Sequence, residues 1–420
     1  MTYSNPYAST SSPTNFIAFS GMGMRKGGRA MLMPSNYQGD GSTLNLDFTT
    51  MGGVLDPRLT FTRSTTATYI NSSGYVTSAA INAPRFDYSP TNIGEPRGLL
   101  IEGQSTNSCL QSSNPASWLG ASSGTTITTG TGLAPDNLTT PKQIALTSGA
   151  YHYQSSPTGV IAATYTLSVW LKASSTQSVG IRICRNSDGA IKGMITATVT
   201  TSWQRFEVSF TSNATDAIDF GFDQRDFGPG SPVVGPAVAA TFLMWGAQAE
   251  LGGASSYIPT GASQVTRTVD TCYMSGISSW YNESAGTVIS NLTYNGLATN
   301  NSGIELSVGT GTSATNRIGI RKTYVDYYSG GGSAQAEMYP TVTSGNVRIG
   351  TAYSLNDFAM CSNGGTMLAD GSGAVPVGLN TLKLYADNGT SGLVINGLIK
   401  SIKYFPTRLS NAQLQALTTP

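Results

Sequence analysis

The feature that most constrains this chain is a two-residue alternation of apolar and other side chains near its middle. Between residues 165 and 172 the odd positions are apolar, and residues 203–210 and 217–223 repeat the pattern. Successive side chains of a β-strand point to opposite faces of the sheet, so this period is typical of strands with one buried face. Sheets of that kind bury their apolar faces against each other, and the sequence therefore predicts β-sandwiches.

Composition agrees with an all-β chain of more than one domain. The 420 residues exceed what one small core needs, and 49 of them are glycine, which favours short strands joined by turns. Residues 410–418 form the main stretch with helical periodicity. Only 11% of the residues are charged, against about 25% in an average globular protein. Ser, Thr, Asn and Gly are therefore expected to cover most of the surface.

Charge and cysteine usage argue against several classes of protein. Lys and Arg number 23 against 22 Asp and Glu, and the densest basic cluster is Arg25, Lys26 and Arg29, so no nucleic-acid partner is expected. No apolar run reaches the roughly 20 residues that cross a bilayer, and the N-terminus lacks the pattern of a secretion signal. The four cysteines form no CxxC pair, and the single His152 cannot complete a usual zinc site. Buried thiols in a reducing compartment are expected.

Residues 1–48 differ in character from the rest of the chain. Aromatic residues and methionines stand among Ser, Thr and Asn, with too little periodic apolar surface for an independent core. We expect this segment to dock onto a partner, and the alternative is packing against the rest of its own chain. The side chains expected to anchor it are Tyr3, Tyr7, Phe16, Met22 and Met24.

The segment 61–102 carries the most specific pattern of the chain. Two short strand-like runs flank the turn Asn71–Gly74. Three further groups occur in a fixed order: Phe61-Thr62-Arg63, Pro84-Arg85-Phe86-Asp87 and Gly98-Leu99-Leu100-Ile101-Glu102. This order resembles a segment of tailed-bacteriophage virion proteins that lies just upstream of jelly-roll modules. The resemblance implies a connector with a β-hairpin, residues 49–104, in a phage fibre or appendage protein.

The two units that follow resemble known sandwich families. Residues 105–272 contain YTLSVWLKA, WQRFEVSF and MWGAQAELGGASSYIPT, and this set is similar to jelly-roll carbohydrate-binding modules. Residues 273–420 end in a strand, Pro406 and a short helix that Ser410 is expected to cap, which looks like the end of laminin G or concanavalin A-like sandwiches. The predicted fold is all-β, with two tandem antiparallel jelly-roll sandwiches after an extended N-terminal anchor and a β-hairpin connector.

The phage resemblance also implies partners and a location. Residues 1–48 would dock onto other virion proteins, in the capsid, portal or tail, during assembly in the host cytoplasm. Such appendages are commonly homotrimers, and threefold packing would cover strand edges that are otherwise open to aggregation. The expected function is that of a virion structural protein, in head or tail, whose sandwiches serve adsorption to host-surface glycans. The alternatives are a receptor-binding lectin of the tail and a glycan depolymerase.

Sugar binding requires exposed aromatic rings beside polar side chains. In the middle unit, alternation places Trp170 and Trp203 on the polar faces of their strands, near Arg205. These rings could stack on a sugar, or they could be covered by the connector or by a neighbouring subunit. The last unit has an aromatic-rich edge that could bind sugar or pack between subunits: Tyr324, Asp326 and Tyr327.

Catalysis and metal binding have less support. Concanavalin A-like glucanases place their two catalytic carboxyl groups at alternate positions of one strand, and residues 273–420 contain no such pair. With no G-x-S-x-G motif and only His152 as imidazole, serine hydrolase chemistry is also unsupported, so no enzyme activity and no cofactor are expected. The densest acidic cluster could hold a structural Ca²⁺ or form an exposed strand end and turn: Asp219, Asp223 and Asp226.

Overall fold

The structure is a computed structural model that describes ten stretches of the chain. These are residues 40–155, 163–185, 190–212, 217–228, 234–295, 303–310, 316–330, 332–340, 345–385 and 395–420. The predicted anchor residues Tyr3, Tyr7, Phe16, Met22 and Met24 lie outside them. Within these stretches, no helix combines the length and the hydropathy that a membrane span requires.

Strands dominate the described residues. Before residue 105 they are β1 (Leu44–Asp47), β2 (Leu59–Thr62), β3 (Ala67–Ile70), β4 (Val76–Ala79), β5 (Phe86–Tyr88) and β6 (Pro96–Ile101). The middle of the chain contains β7 (Ser105–Asn107), β8 (Gly120–Ala121), β9 (Thr125–Thr129), β10 (Lys142–Leu146), β11 (Tyr151–Ser155), β12 (Thr164–Ala173), β13 (Gln177–Arg185), β14 (Ile191–Val199), β15 (Gln204–Thr211), β16 (Ile218–Asp223), β17 (Ala240–Leu251) and β18 (Val265–Arg267).

The last part of the chain continues the pattern and ends in a helix. Its strands are β19 (Thr271–Ser275), β20 (Ala285–Tyr294), β21 (Gly303–Ser307), β22 (Arg317–Arg321), β23 (Val325–Ser329), β24 (Ser333–Met338), β25 (Asn346–Ser354), β26 (Asp357–Ser362), β27 (Leu368–Asp370), β28 (Thr381–Lys383) and β29 (Gly397–Phe405). Helix α1 spans Asn411–Thr418, and single 3₁₀ turns lie at Pro115–Ser117 and Ile277–Ser279. The strand pairs of the described residues are antiparallel, and the all-β prediction is confirmed.

The first and last parts of the chain together build one sandwich, which we call the C-terminal sandwich. Its eight-stranded sheet has the order β27-β26-β25-β20-β29-β6-β5, and β1 also pairs with β29. Its seven-stranded sheet has the order β2-β19-β28-β21-β22-β23-β24. Phe61 and Tyr327 from one sheet and Tyr353 from the other belong to the same buried core. Strands of the predicted connector, residues 49–104, thus contribute to both sheets.

Strand β1 is an integral part of this core. Leu44 and Leu46 of this strand and Phe48 just after it occupy alternate positions and are 2%, 0% and 2% exposed. The strand pairs with β29 from Leu44 opposite Tyr404 to Asp47 opposite Ser401. The predicted anchor, residues 1–48, therefore overlaps a strand of the sandwich. This correction follows from a short two-residue alternation that gives the segment one apolar face.

The middle sandwich spans residues 105–267 and interrupts the C-terminal sandwich in sequence. Its sheets have the orders β15-β12-β17-β10-β9 and β14-β13-β16-β11-β8, and they share one core. Leu167, Val169 and Leu171 of β12 are buried in that core, so the alternation found in the sequence is confirmed. Strands β7 and β18 pair with each other and join the two ends of the insertion.

The predicted hairpin of the connector is confirmed as a separate two-stranded sheet, β3 paired with β4. It packs against loops of the middle sandwich, where the Thr68 hydroxyl donates to the Tyr257 carbonyl at 2.5 Å. The Val76 N–H donates to the Pro135 carbonyl at 2.9 Å. The hairpin therefore leaves the C-terminal sandwich and lies over the middle one.

Helix α1 begins as the sequence predicts. The Ser410 hydroxyl accepts from the N–H of Gln413 at 3.3 Å, and the Gln413 side chain accepts from the N–H of Ser410 at 3.0 Å. This reciprocal cap satisfies N–H groups that the first turn leaves free. Leu414 of the helix is fully buried against the eight-stranded sheet.

Candidate functional site

Three charged residues of the motif 61–102 join one residue from the end of the middle sandwich and one just before β19 in a buried group of five, which we call the charge cluster. Its members are at most 1% exposed: Arg63, Arg85, Glu102, Arg267 and Asp270. The Arg85 guanidinium donates to Glu102 at 2.7 Å and also to Asp270. Arg63 donates to the other oxygen of Asp270 at 3.1 Å, and Arg267 lies 3.6 Å from Glu102. Each carboxylate therefore has two cationic neighbours.

The charge cluster joins parts of the chain that are distant in sequence. Glu102 follows β6, and its carboxylate accepts from the N–H and hydroxyl of Ser256 in the middle sandwich at 2.7 and 2.6 Å. Asp270 immediately precedes β19 of the C-terminal sandwich and accepts from the N–H of Glu102 at 2.8 Å. Arg85 also donates to the carbonyl of Thr68 in the hairpin at 2.9 Å. The cluster therefore contacts the hairpin, the middle sandwich and the C-terminal sandwich.

The charges of the cluster shift the pKa values of Glu102 and Arg85. Burial by itself would raise the pKa of Glu102, but the charges of Arg267 and Arg85 and the hydrogen bonds from Ser256 lower this pKa to about 2. Burial by itself would lower the pKa of Arg85, but Asp270 and Glu102 raise it. The opposite charges therefore hold each other in the charged form.

A cleft of about 710 Å³ opens beside the charge cluster, between the hairpin and the middle sandwich. Its floor is the outer face of the paired strands β12 and β15, with Thr164, Thr166, Trp170, Arg205, Glu207 and Ser209. Its walls come from four parts of the chain. The hairpin contributes Thr68, Tyr69, Ile70 and Val76, and β5, β6 and the residue that follows β6 contribute Asp87, Arg97, Leu100 and Glu102. The loop 252–257 after β17 and, from the C-terminal sandwich, Asn295 and Leu398 complete the walls. Of the residues predicted to bind sugar, Trp170 and Arg205 line this cleft.

Trp170 lines the cleft without presenting its ring to it. The side chain is only 8% exposed, and the Arg205 guanidinium lies 4.4 Å from the ring centroid. Trp245 and Tyr257 pack edge-on against the ring, at 5.4 and 5.7 Å between centroids. Gly246, at φ +65°, passes so close that a Cβ there would lie 2.9 Å from a ring carbon. Stacking of a sugar on Trp170 is therefore excluded by its neighbours.

The connector is what covers this aromatic cluster. Val76 of the hairpin is buried with Trp170, and Ile70 and Trp203 pack against the same group. Trp203 is half-buried and its indole N–H donates to the Leu133 carbonyl at 3.0 Å. Of the alternatives open in the sequence, coverage by the connector is therefore the arrangement found for Trp170.

Arg205 is held in a fixed position. One terminal nitrogen donates to the Ser255 carbonyl at 2.8 Å, and the other donates to the Ser168 hydroxyl at 2.8 Å. Burial lowers the pKa of Arg205, although Glu250 and Glu207 oppose the shift. Both terminal nitrogens of Arg205 are thus engaged by the protein.

Tyr69 is the most exposed of the three aromatic side chains that line the cleft, and the sequence did not single it out. It is half-buried in β3 and lines the cleft. Among the described residues its ring has no aromatic or cationic neighbour and its hydroxyl has no hydrogen-bond partner. Only its place in the predicted hairpin was visible in the sequence, because the cleft arises from contacts with distant loops.

Asp87 and Arg97 form the charged wall next to Tyr69. The Asp87 carboxylate accepts from the N–H of Ile70 at 2.8 Å and pairs with Arg97 at 3.1 Å. Burial raises the pKa of Asp87 to about 6. Asp87 belongs to the motif of residues 61–102, but nothing in that motif indicated a cleft.

The aromatic-rich edge predicted in the last unit is not an edge. Strand β23 lies between β22 and β24, so both of its sides are paired. Tyr327 is 0% exposed and its hydroxyl bonds to Thr351 at 2.5 Å, while Asp326 is buried and pairs with Arg317 at 2.7 Å. Tyr324 is half-buried, and none of the three lines the cleft. The prediction that Tyr327 is exposed is wrong, because the alternation directs it into the core.

The three predicted metal ligands do not converge. Asp223 is fully buried and pairs with Arg182 at 2.9 Å and Arg225 at 2.7 Å. Asp219 bonds to Ser155, and Asp226 is exposed and accepts from a backbone N–H in its own turn. In the part of the chain that the structure describes, no group of three or more His, Cys, Asp or Glu side chains is arranged to hold a metal ion.

No protein-family model and no curated protein matches the sequence. Among solved structures, similarity is found to domain 4 of the extracellular arabinanase AbnA from Geobacillus stearothermophilus in complex with arabinotriose, at 13% identity and a TM-score of 0.29, covering 40% of this chain and 83% of that one. The tandem CBM22 domains of Paenibacillus barcinonensis Xyn10C match at 10% identity and a TM-score of 0.24, covering 69% and 92%.

The sialidase of Trypanosoma rangeli in complex with sialic acid is also similar, at 9% identity and a TM-score of 0.24. That match covers 70% of this chain and 52% of the sialidase chain. At these scores we base no conclusion about function on any of the three likenesses. The assignment to the β-sandwich class rests on the sheets and cores of the protein itself.

Proposed function

We propose that this chain is a virion structural protein of a tailed bacteriophage, a fibre or appendage subunit, that binds a host-surface glycan in its cleft. The resemblance of residues 61–102 supports the virion assignment. The cleft supports glycan binding, and it is the observation on which that part of the proposal depends. On this proposal the protein is assembled in the host cytoplasm and acts as part of the virion.

The chemistry of the cleft suits a sugar. Sugar rings present an apolar face that packs on an aromatic side chain and hydroxyls that bond to polar groups. Tyr69 supplies an aromatic face, and Arg97, Glu207, Ser209 and Asn295 supply donors and acceptors around it. A volume of about 710 Å³ is sufficient for a short oligosaccharide, because ligand pockets typically measure about 300–1,000 Å³.

Substitution of Tyr69 by alanine is expected to weaken glycan binding about tenfold, the equivalent of about 1.4 kcal/mol. The substitution removes a half-exposed ring without opening a core, so the fold should be retained. Binding to purified polysaccharides of the host surface, measured by titration calorimetry or on a glycan array, checks the prediction. Tyr75→Ala is the matched control, because Tyr75 lies in the same hairpin, is 39% exposed and does not line the cleft.

Equal binding by both variants would contradict the assignment of the cleft. Trp170→Ala and Tyr327→Ala are poorer tests, because both side chains are buried and their loss would disturb the fold. A change in binding would then not separate a ligand contact from a structural defect.

Binding is proposed rather than hydrolysis. Asp87 and Glu207 both line the cleft, and a raised pKa like that of Asp87 is a property of catalytic acids. However, Asp87 is only 5% exposed, and both of its oxygens are engaged, one by Ile70 and the other by Arg97. A group so enclosed has no free oxygen for a leaving group. Incubation with polysaccharide should therefore release no new reducing ends.

Docking is assigned to the N-terminal residues on the strength of the resemblance. Because Leu44–Asp47 form a core strand, we limit the proposed docking segment to residues 1–39. A chain without residues 1–39 should fold but be absent from purified particles, as measured by mass spectrometry of their proteins. Incorporation at the normal level would contradict the docking role. Homotrimeric assembly belongs to the same proposal and can be measured by the mass of the purified protein in solution.

A further inference from the structure

The cleft is elongated along the strands of its floor. Thr164 and Trp170 both line it and lie six positions apart on β12, which corresponds to about 20 Å of extended strand. Over this length β12 pairs with β15 without a register shift, from Thr164 opposite Thr211 to Trp170 opposite Arg205. The floor is therefore one continuous strip.

Tyr69 lies at the Trp170 end of this strip. Its neighbour Ile70 packs into the aromatic cluster around Trp170. Its other neighbour, Thr68, donates to the carbonyl of Tyr257, whose ring packs edge-on against Trp170 at 5.7 Å between centroids. Tyr69 is thus separated by most of the length of the cleft from the other end of the strip.

The other end of the strip carries small side chains. Thr164 is exposed at the start of β12, and Ser209 is exposed on β15. The wall there consists of Gly252, whose N–H donates to the Thr164 carbonyl at 2.7 Å, and of Gly253 and Ala254. None of these three has a side chain larger than a methyl group. A sugar ring therefore has room at this end, with hydroxyl groups beside it.

The hydrogen bonds at this end have a fixed direction. The Thr166 hydroxyl has a single hydrogen, and it donates that hydrogen to the Gly252 carbonyl at 2.6 Å. In its 2.6 Å contact with the Ser209 hydroxyl it therefore accepts, and Ser209 donates. The Ser209 oxygen keeps its own lone pairs for a donor in the cleft. A sugar hydroxyl that donates there completes this chain of hydrogen bonds.

We infer that the cleft takes a linear oligosaccharide of about three to four sugar residues, laid along β12 and β15 with one ring at Tyr69 and a hydroxyl near the other end donating to Ser209. The inference rests on the glycan-binding function proposed above. The strip of about 20 Å is the length of about four hexose residues in an extended chain. A single terminal sugar would reach only one end of the strip, so affinity should depend on chain length.

The test measures affinity against the length of the ligand. Host-surface polysaccharide is cut by mild acid and separated by size into fragments of one to eight sugar residues, and each fragment is titrated against the full chain by calorimetry. One hydrogen bond contributes about two- to tenfold, and ring contacts add to it, so we expect affinity to rise about tenfold between fragments of two and four residues. Between four and eight residues it should change by less than about threefold.

Ser209→Ala tests the hydrogen bond near the far end of the strip. The substitution leaves the Thr166 hydroxyl bonded to Gly252, so the fold should be retained. The ratio of the affinities for four- and two-residue fragments should fall by about two- to tenfold. Ser178→Ala is the matched control and should keep the wild-type ratio, because Ser178 is exposed on β13 of the opposite sheet and lies outside the cleft.

The outcomes separate the two proposals. Equal affinity for two- and four-residue fragments, a rise that continues to eight residues, or an unchanged ratio in Ser209→Ala would overturn the extended placement while leaving glycan binding in place. Intact polysaccharide that binds while no fragment does would overturn the placement as well. Absence of binding by the polysaccharide and by every fragment would overturn glycan binding and this inference with it.

Discussion

Removal of residues 1–48 is expected to unfold the C-terminal sandwich, whereas removal of residues 1–39 is not. The longer deletion takes away β1, whose side chains Leu44 and Leu46, together with the following Phe48, are buried in the core. Burial of each such side chain contributes about 1.5–3 kcal/mol, so the loss is about 5–9 kcal/mol. That is comparable with the whole stability of a typical domain, about 5–15 kcal/mol.

Soluble yield and thermal unfolding followed by circular dichroism measure this difference. The shorter deletion leaves the described strand pairs intact, since they all lie between residues 44 and 405. It should melt cooperatively at the temperature of the full chain. If both truncated proteins melt within a few degrees of each other, β1 does not have the role assigned to it.

The second large loss of folding stability is expected from Arg85→Met. This substitution leaves Glu102 and Asp270 buried with fewer cationic partners, and breaking a buried ion pair typically costs about 3–5 kcal/mol. Arg58→Met is the control, because Arg58 pairs with Asp56 at the surface and is 44% exposed, and such pairs contribute about 0–1 kcal/mol. Urea unfolding measures both changes.

The pH dependence of the Arg85 variant provides an internal check. In the wild type the pKa of Glu102 is lowered to about 2, so its contribution to stability is present above its usual pKa and is lost only as the pH falls towards 2. Without Arg85 the pKa of Glu102 in the folded variant should be higher than in the wild type, although Arg267 and Ser256 still lower it. The destabilisation caused by the substitution should therefore shrink as the pH falls from 7 towards 2, because the wild type loses more stability there than the variant does. If Arg85→Met lowered the free energy of unfolding by less than about 1 kcal/mol at pH 7, the stabilising role of the charge cluster would be contradicted.

The secondary structure was largely accessible from the sequence. The two-residue alternation around Leu167, Val169 and Leu171 depends on local order alone, and these residues occupy the predicted face. The cap at Ser410 is equally local, since its partner Gln413 is three residues away. Such features need no knowledge of what the segment packs against.

The cleft and the charge cluster could not be predicted from the sequence in the same way. Alternation placed Trp170 on the outer face of its strand, but it could not reveal that the hairpin, more than ninety residues earlier, covers that face. Asp270 lies 185 residues from Arg85, and Ser256 lies 154 residues from Glu102. The motif was visible, whereas its role as a buried junction depends on these long-range partners. Residues 324–327 were wrongly placed at a sheet edge, because the number of paired neighbours of a strand is not a property of its own sequence.

The structure gives the motif of residues 61–102 a physical role. Its charged residues Arg63, Arg85 and Glu102 hold three parts of the chain together, and Asp87 continues the motif into the wall of the cleft. Burial of ionised groups requires well-placed partners, so replacing one member alone leaves its partner buried without compensation. The pattern that carries the resemblance is therefore a structural junction that also shapes the proposed binding site.

The most direct test of the central claim is a structure of the full chain with a bound host-surface oligosaccharide. We predict that the ligand lies in the cleft, with a sugar ring against Tyr69 and hydroxyls within hydrogen-bonding distance of Glu207 or Asn295. Location of the ligand elsewhere, for example beside Tyr151 and Tyr153 on the opposite sheet of the middle sandwich, would contradict the account.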